Sequence, residues 1–181
     1  TKTVLNDWEG NYRDTFINST SNTATSALNK LVNDFIYYYE KSLRANKIGI
    51  PAGNFSTTPL PDKVEGYYSR IYSKELSLIA LKAVQDFFNG KSYTSSSTDE
   101  CFKTYLDYLK TIKDGENLSA LINSQYNDAR SKMQILDDSF YDQINADNTK
   151  MTEAYDALQK AVVLMKVDML QAFNVSVDYT D

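Results

Sequence analysis

The sequence predicts an all-α protein: an antiparallel helical bundle of four to five main helices with one long ordered loop over about 47–72. Three observations predict it. Apolar residues recur every three or four positions in several long runs, the signature of amphipathic helices. The 181 residues include only 6 Gly and 3 Pro, which favours long helices over a turn-rich β fold. Hydrophobic residues make up 42% and charged residues 24%, an ordinary globular balance in a chain long enough to bury a core without staples. No repeat, low-complexity tract or linker divides the chain, so 1–181 is expected to be one helical-bundle domain.

The elements follow in order. Residues 4–17 place Leu5, Trp8, Tyr12 and Phe16 at helical spacing. The hydroxyls of 18–21 can cap a second helix, expected over 21–46, with Leu28, Leu31, Val32, Phe35, Ile36, Tyr39 and Leu43 on one stripe. Tyr37, Tyr38 and Tyr39 fall around one turn of it, so at most two can face inward. Pro51 is expected to end helical geometry from Ile50 onward. Gly49 and Gly53 would then allow a tight path, with Ile48 and Ile50 as anchors. Long irregular connections tend to be functional or disordered, and the Ile, Phe, Leu, Val and Tyr content of 47–72 argues for order.

A third stripe runs from Leu76 to Phe87 and stops at Asn89-Gly90, a fitting C-terminal cap. After a polar loop, Ser97-Thr98-Asp99-Glu100 reads as a capping box for a helix carrying Phe102, Tyr105, Leu106 and Leu109. Residues 113–117 read as a turn. Leu118, Ile122, Ala129, Met133 and Leu136 form the next stripe, and 137–148 breaks it around a short helix. Met151, Ala154, Leu158, Ala161, Met165, Met169 and Phe173 make a final helix of about seven turns. The tail 174–180 alternates and is expected to be a short strand.

The chemistry is bounded by absences. There is no His, which removes the usual general base, the Ser-His and Cys-His pairs and the commonest metal ligand. The one Cys, Cys101, allows neither an intrachain disulfide nor a cysteine cage, and reads as a small core hydrophobe on a helix. A net charge of −5 opposes nucleic-acid binding. No apolar run is long enough to span a membrane. Asp137-Asp138, and Asp142 with Asp147, read as solvated helix ends rather than a cation site, and no segment matches a calcium loop. Asn18, Asn54, Asn117 and Asn174 each begin Asn-x-Ser/Thr, matches that arise by chance in an Asn- and Ser-rich chain.

Four segments in order carry a resemblance: "KIGIPAG" (47–53), "VEGYYSRIYSKEL" (64–76), "INSQYNDARSKMQIL" (122–136) and "AYDALQKAVVLMKVDMLQAFNVSVDY" (154–179). Together with "DWEGNY" around Trp8 and Tyr12, they resemble the imelysin family, also called insulin-cleaving membrane proteases or peptidase family M75. That resemblance implies two helical bundles in a chain roughly twice this length, in the bacterial periplasm or on the outer-membrane surface, with lipid anchoring expected of the full-length protein. It also implies a G-x-H-x-x-E signature in the N-terminal half. This chain has no His, so it is expected to be the C-terminal half only, trimmed at both ends.

On that basis no catalytic and no metal residue is expected here. Lys47, Glu65, Tyr68, Ser69 and Ser73 match the family's loop and polar segment and are candidates for lining a ligand cleft closed by the other half. Glu65, Tyr68 and Ser69 would share one face of a short helix. Bracing the loop is the alternative. Gly49, Pro51, Lys166 and Asp168 are expected to be structural positions of the family pattern. The resemblance implies no cofactor in this chain, and iron or zinc in the full-length protein. The implied partners are the N-terminal half and envelope iron-uptake components. Metal-uptake binding protein, M75 metallopeptidase half and structural bundle remain the three alternatives.

Overall fold

The computed structural model describes residues 1–179. Among them are eight helices and one two-residue hairpin. Helix α1 is Lys2–Glu9 and α2 is Tyr12–Asn18. The long α3 spans 27–52 without a break: α-helical over Ala27–Tyr37, π-helical over Tyr38–Gly49, then an α-turn over Ile50–Ala52. Helix α4 is Ser73–Phe88, α5 is Phe102–Tyr108, α6 is Leu118–Gln134 and α7 is Phe140–Ala146. Helix α8 spans 149–172, with a second π-helical stretch at Leu164–Met169. Strands β1 (Ile112–Lys113) and β2 (Glu116–Asn117) pair around Asp114-Gly115, both at positive φ.

Four long helices form the bundle, in the cyclic order α3, α4, α6, α8. Cross-helix contacts set their directions. Tyr39 and Arg44 of α3 meet Leu158 and Tyr155 of α8. Asn89 and Lys74 of α4 meet Asn123 and Leu136 at opposite ends of α6. Tyr126 and Lys132 of α6 meet Met165 and Glu153 of α8. Each neighbouring pair is therefore antiparallel, the up-down solution that buries four apolar stripes against one another.

The core runs along the bundle axis through Ile36, Leu43, Ile48, Leu81, Phe88, Ile122, Met133, Leu158 and Met165. Helix α5 closes one end, where Phe102 packs on Phe35, Phe87 and Phe173. At the centre the rings of Tyr39 and Tyr126 meet at 5.6 Å. The Tyr39 hydroxyl donates to the Leu158 carbonyl at 3.1 Å and the Tyr126 hydroxyl to the Met165 sulfur at 2.8 Å. Each buried phenol thus has an acceptor, as its burial demands.

Several boundaries differ from the sequence expectation. Gly10 splits the first helix into α1 and α2, and neither buries a residue. Their aromatic rings, Trp8, Tyr12 and Phe16, cluster with one another at 5.0–6.4 Å. Helix α3 does not stop at Ile50: Pro51 stays helical, because the φ that its ring imposes is a helical one. Gly53 ends the helix in the left-handed conformation, φ 86°. The irregular loop is therefore 53–72, interrupted by a 3₁₀ turn at Pro61–Lys63. Cys101 is half-buried and sits at the N-cap of α5 rather than in the core. Thr104 Oγ1 accepts its backbone N–H at 2.8 Å, so the cap lies four residues beyond the expected one. Residues 174–179 are irregular instead of a strand, and Thr180 lies outside the described residues. Asn33 spends both side-chain groups on that tail, donating to the Ser176 carbonyl and accepting from the Asp178 N–H.

Burial raises the Tyr39 phenol well above its usual range, with Arg44 pulling it partly back; burial, then the neighbouring Tyr39, raises Tyr126. In the unfolded chain both ionise near pH 10. Their contribution to stability is complete below about pH 10 and is lost as pH rises further. An ultraviolet phenolate titration followed beside circular dichroism checks this. These two tyrosines are expected to ionise only in step with unfolding, and Tyr126→Phe is expected to shrink that step.

Candidate functional site

The two π-helical stretches lie on adjacent antiparallel helices and face each other across one carboxylate. Extended i→i+5 turns are rare and concentrate at functional sites. Glu40 stands near the start of the first stretch and is 9% exposed. Its Oε1 accepts from Arg44 Nη2 at 3.2 Å. Its Oε2 accepts from Lys166 Nζ, in the second stretch, at 3.0 Å and from the Tyr179 hydroxyl at 3.1 Å. A buried carboxylate needs this many partners, since desolvation outweighs a single ion pair.

Arg44 extends the network toward α8. Its Nη1 donates to the Tyr155 hydroxyl at 2.8 Å and to Gln159 Oε1. The guanidinium lies 5.7 Å from the Phe55 ring centroid and 5.2 Å from that of Tyr155, so two aromatic rings bracket it. Gly49 makes room for that bracket. A Cβ there would come within 2.6 Å of Phe55 Cε2 and 2.7 Å of Tyr155 Cε2. The glycine of "KIGIPAG" is therefore required by close approach of rings, not by its backbone, which is helical at φ −68°. Beside Arg44 is a cavity of about 100 Å³, lined mainly by Tyr37, Lys41, Ala45, Phe55 and Tyr179.

The five cleft candidates lie apart from this cavity. Lys47, Glu65 and Ser73 come together: Lys47 Nζ pairs with Glu65 Oε2, and Ser73 Oγ donates to the Glu65 carbonyl at 2.7 Å. Ser69 Oγ donates to the Gly66 carbonyl at 2.8 Å, within its own turn. Tyr68 is 96% exposed, its ring packed edge-on against Tyr67. Residues 64–72 form turns rather than the expected short helix, because Gly66 and Arg70 both take positive φ. Arg70 locks this path by lying between Tyr67 and Tyr141, 4.6 Å and 3.5 Å from their ring centroids.

The positions expected to be structural have definable roles. The Pro51 carbonyl accepts the Leu60 N–H at 2.8 Å and so folds the loop back on α3. Asp168 pairs with Lys113 of the hairpin at 3.1 Å, while its Oδ2 is buried without a hydrogen-bond partner. Sequence reasoning passes over Glu40, Arg44, Tyr155 and Gln159. The available signal is a Glu–Arg pair at i and i+4 inside an apolar stripe, where ordinary helical spacing would expose it. Among the described residues no group of three or more His, Cys, Asp or Glu could hold a metal ion.

A model of the imelysin family, peptidase family M75, matches residues 1–165. The chain belongs to the imelysin family. Nothing matches among curated proteins or among solved structures. The imelysin match ends one residue before Lys166, so two of the three partners of Glu40 lie beyond it.

Two outcomes follow from the network. Glu40→Ala leaves Arg44 and Lys166 without their shared carboxylate and is expected to cost about 3–5 kcal/mol in denaturant unfolding. Gly49→Ala is expected to push Phe55 and Tyr155 off Arg44, read as changed ring-proton shifts of both residues in NMR spectra and a lower unfolding midpoint.

Proposed function

We propose that this chain is one bundle, the C-terminal half, of an imelysin-like cell-envelope protein that serves metal uptake, iron above all, and that it is catalytically inert alone. The location that accompanies this reading is the bacterial periplasm or outer-membrane surface, with a lipid anchor on the full-length protein. The observation that carries the binding reading is the Glu40–Arg44–Lys166 network. Its carboxylate is held by Arg44, Lys166 and Tyr179, so it fixes two helices in a defined relation and is not a free base. Membership of the imelysin family supports the wider role.

The residues present do not fit a metal centre by themselves. No suitable cluster exists among the described residues, and the Glu65 carboxylate is already paired with Lys47. In this reading, iron or zinc is bound by the N-terminal half, and Lys47, Glu65 and Ser73 form the corner of this bundle that supports it. No helix among the described residues is long and apolar enough to cross a membrane.

The family description also names a peptidase, and the competing reading is the C-terminal half of an M75 metallopeptidase. Metal-dependent cleavage of a peptide library by the full-length protein separates the two. Glu65→Gln in that protein is expected to weaken iron or zinc binding by about 10–100-fold, the usual effect of losing an outer-shell partner. Calorimetric affinities unchanged by the substitution would remove Glu65 from the site.

A further inference from the structure

The cavity beside Arg44 has unspent chemistry. Both Glu40 oxygens that border it are engaged, one by Arg44 and the other by Lys166 and Tyr179. Arg44 has five N–H groups, and four of them have acceptors: the Glu40 carbonyl, Glu40 Oε1, Tyr155 and Gln159. One N–H on Nη2 is left. Lys41 and Tyr37 both line the cavity, and neither the ammonium nor the hydroxyl has a hydrogen-bond or ion-pair partner among the described residues. Three residues that each keep an uncommitted donor, two of them cationic, therefore border one space whose remaining wall is Ala45, Phe55 and Tyr179.

We infer that this cavity binds a small organic carboxylate. A bare metal cation is disfavoured there, because the neutralised Glu40 leaves Lys41 and Arg44 as the cationic groups it would face. Inorganic phosphate is a poorer fit, because its four oxygens outnumber the three donors and the excess would lie against apolar wall. A carboxylate has two oxygens for the three donors, and its carbon end suits the Phe55 side. A volume of about 100 Å³ sets the size, against the roughly 10–15 Å³ of such space that one water needs. Acids of two to about four carbons fit that space. The inference concerns this bundle alone and does not depend on the metal-uptake reading.

The test is calorimetry and NMR on the described chain, in metal-free buffer of low ionic strength, titrated with acetate, malonate and inorganic phosphate. Saturable binding of a carboxylate is expected, with shifts at the Tyr37 and Phe55 rings and at least tenfold weaker binding of phosphate. Lys41 is exposed, so Lys41→Gln is expected to leave the thermal midpoint in place and weaken binding about five- to tenfold. Lys41→Arg should restore most of it, and Lys63→Gln, on a distant lysine, should have no effect. The inference is overturned by any of three results: no saturable carboxylate binding, phosphate binding as tightly, or Lys41→Gln binding like the unsubstituted chain. Because no metal is present, these results leave the metal-uptake proposal to its own experiment.

Discussion

One buried carboxylate organises this bundle. Glu40 lies where α3 and α8 both widen into π-helical turns, and it collects Arg44 from its own helix, Lys166 from the opposite one and Tyr179 from the tail. A charge in that position is tolerated only if both oxygens are held by donors. That requirement couples three segments far apart in sequence. It sets how α8 sits against α3 and where the tail crosses them, and through Arg44 it reaches Tyr155, Gln159 and Phe55. The hydrophobic core stabilises the packing of the four helices, but packing alone is permissive about register. The polar network adds directional contacts between α3, α8 and the tail to that packing.

The diagnostic loop depends on the same constraint. "KIGIPAG" places Gly49 against the two rings that bracket Arg44, carries Pro51 inside the last helical turn, and uses Gly53 to turn the chain. Lys47 then holds Glu65 on the far side of the loop, and Asn148 reaches the Ala52 carbonyl at 2.8 Å from the start of α8. The loop is held to α3 by the Lys47–Glu65 pair and by the Leu60 N–H on the Pro51 carbonyl. Its apolar composition, unusual for a connection, reflects that it closes one end of the core, with Val64 buried.

The fold was largely legible. The stripes through Leu28–Leu43, Leu76–Phe87, Leu118–Leu136 and Met151–Phe173 become the four bundle helices, since each must bury its face and short connections make neighbours antiparallel. What was not legible is instructive. Pro51 is a helix breaker by rule, yet it continues α3 into its last turn, because the φ that its ring fixes is a helical one. The apolar stripes run on at ordinary helical spacing through Tyr39–Leu43 and Met165–Met169, so they do not reveal the π-helical stretches that carry Glu40, Arg44 and Lys166. The five cleft candidates scatter for a related reason. Positive φ at Gly66 and Arg70 turns Tyr68 outward and leaves Lys47, Glu65 and Ser73 together.

The sequence by itself determined the fold class, the imelysin resemblance and the exclusions that follow from having no His and a single Cys. Those rest on local periodicity, composition and motif, which need no partner across the fold. Only the tertiary structure decided that Glu40 and Arg44 are buried, that Gly49 serves a ring contact, and that a small cavity bordered by Tyr37, Lys41 and Arg44 opens beside them. These depend on α8 and the tail, more than 100 residues away in the chain, arriving at one turn of α3. Burial and hydrogen-bond satisfaction are properties of that arrival, and no stretch of α3 contains them.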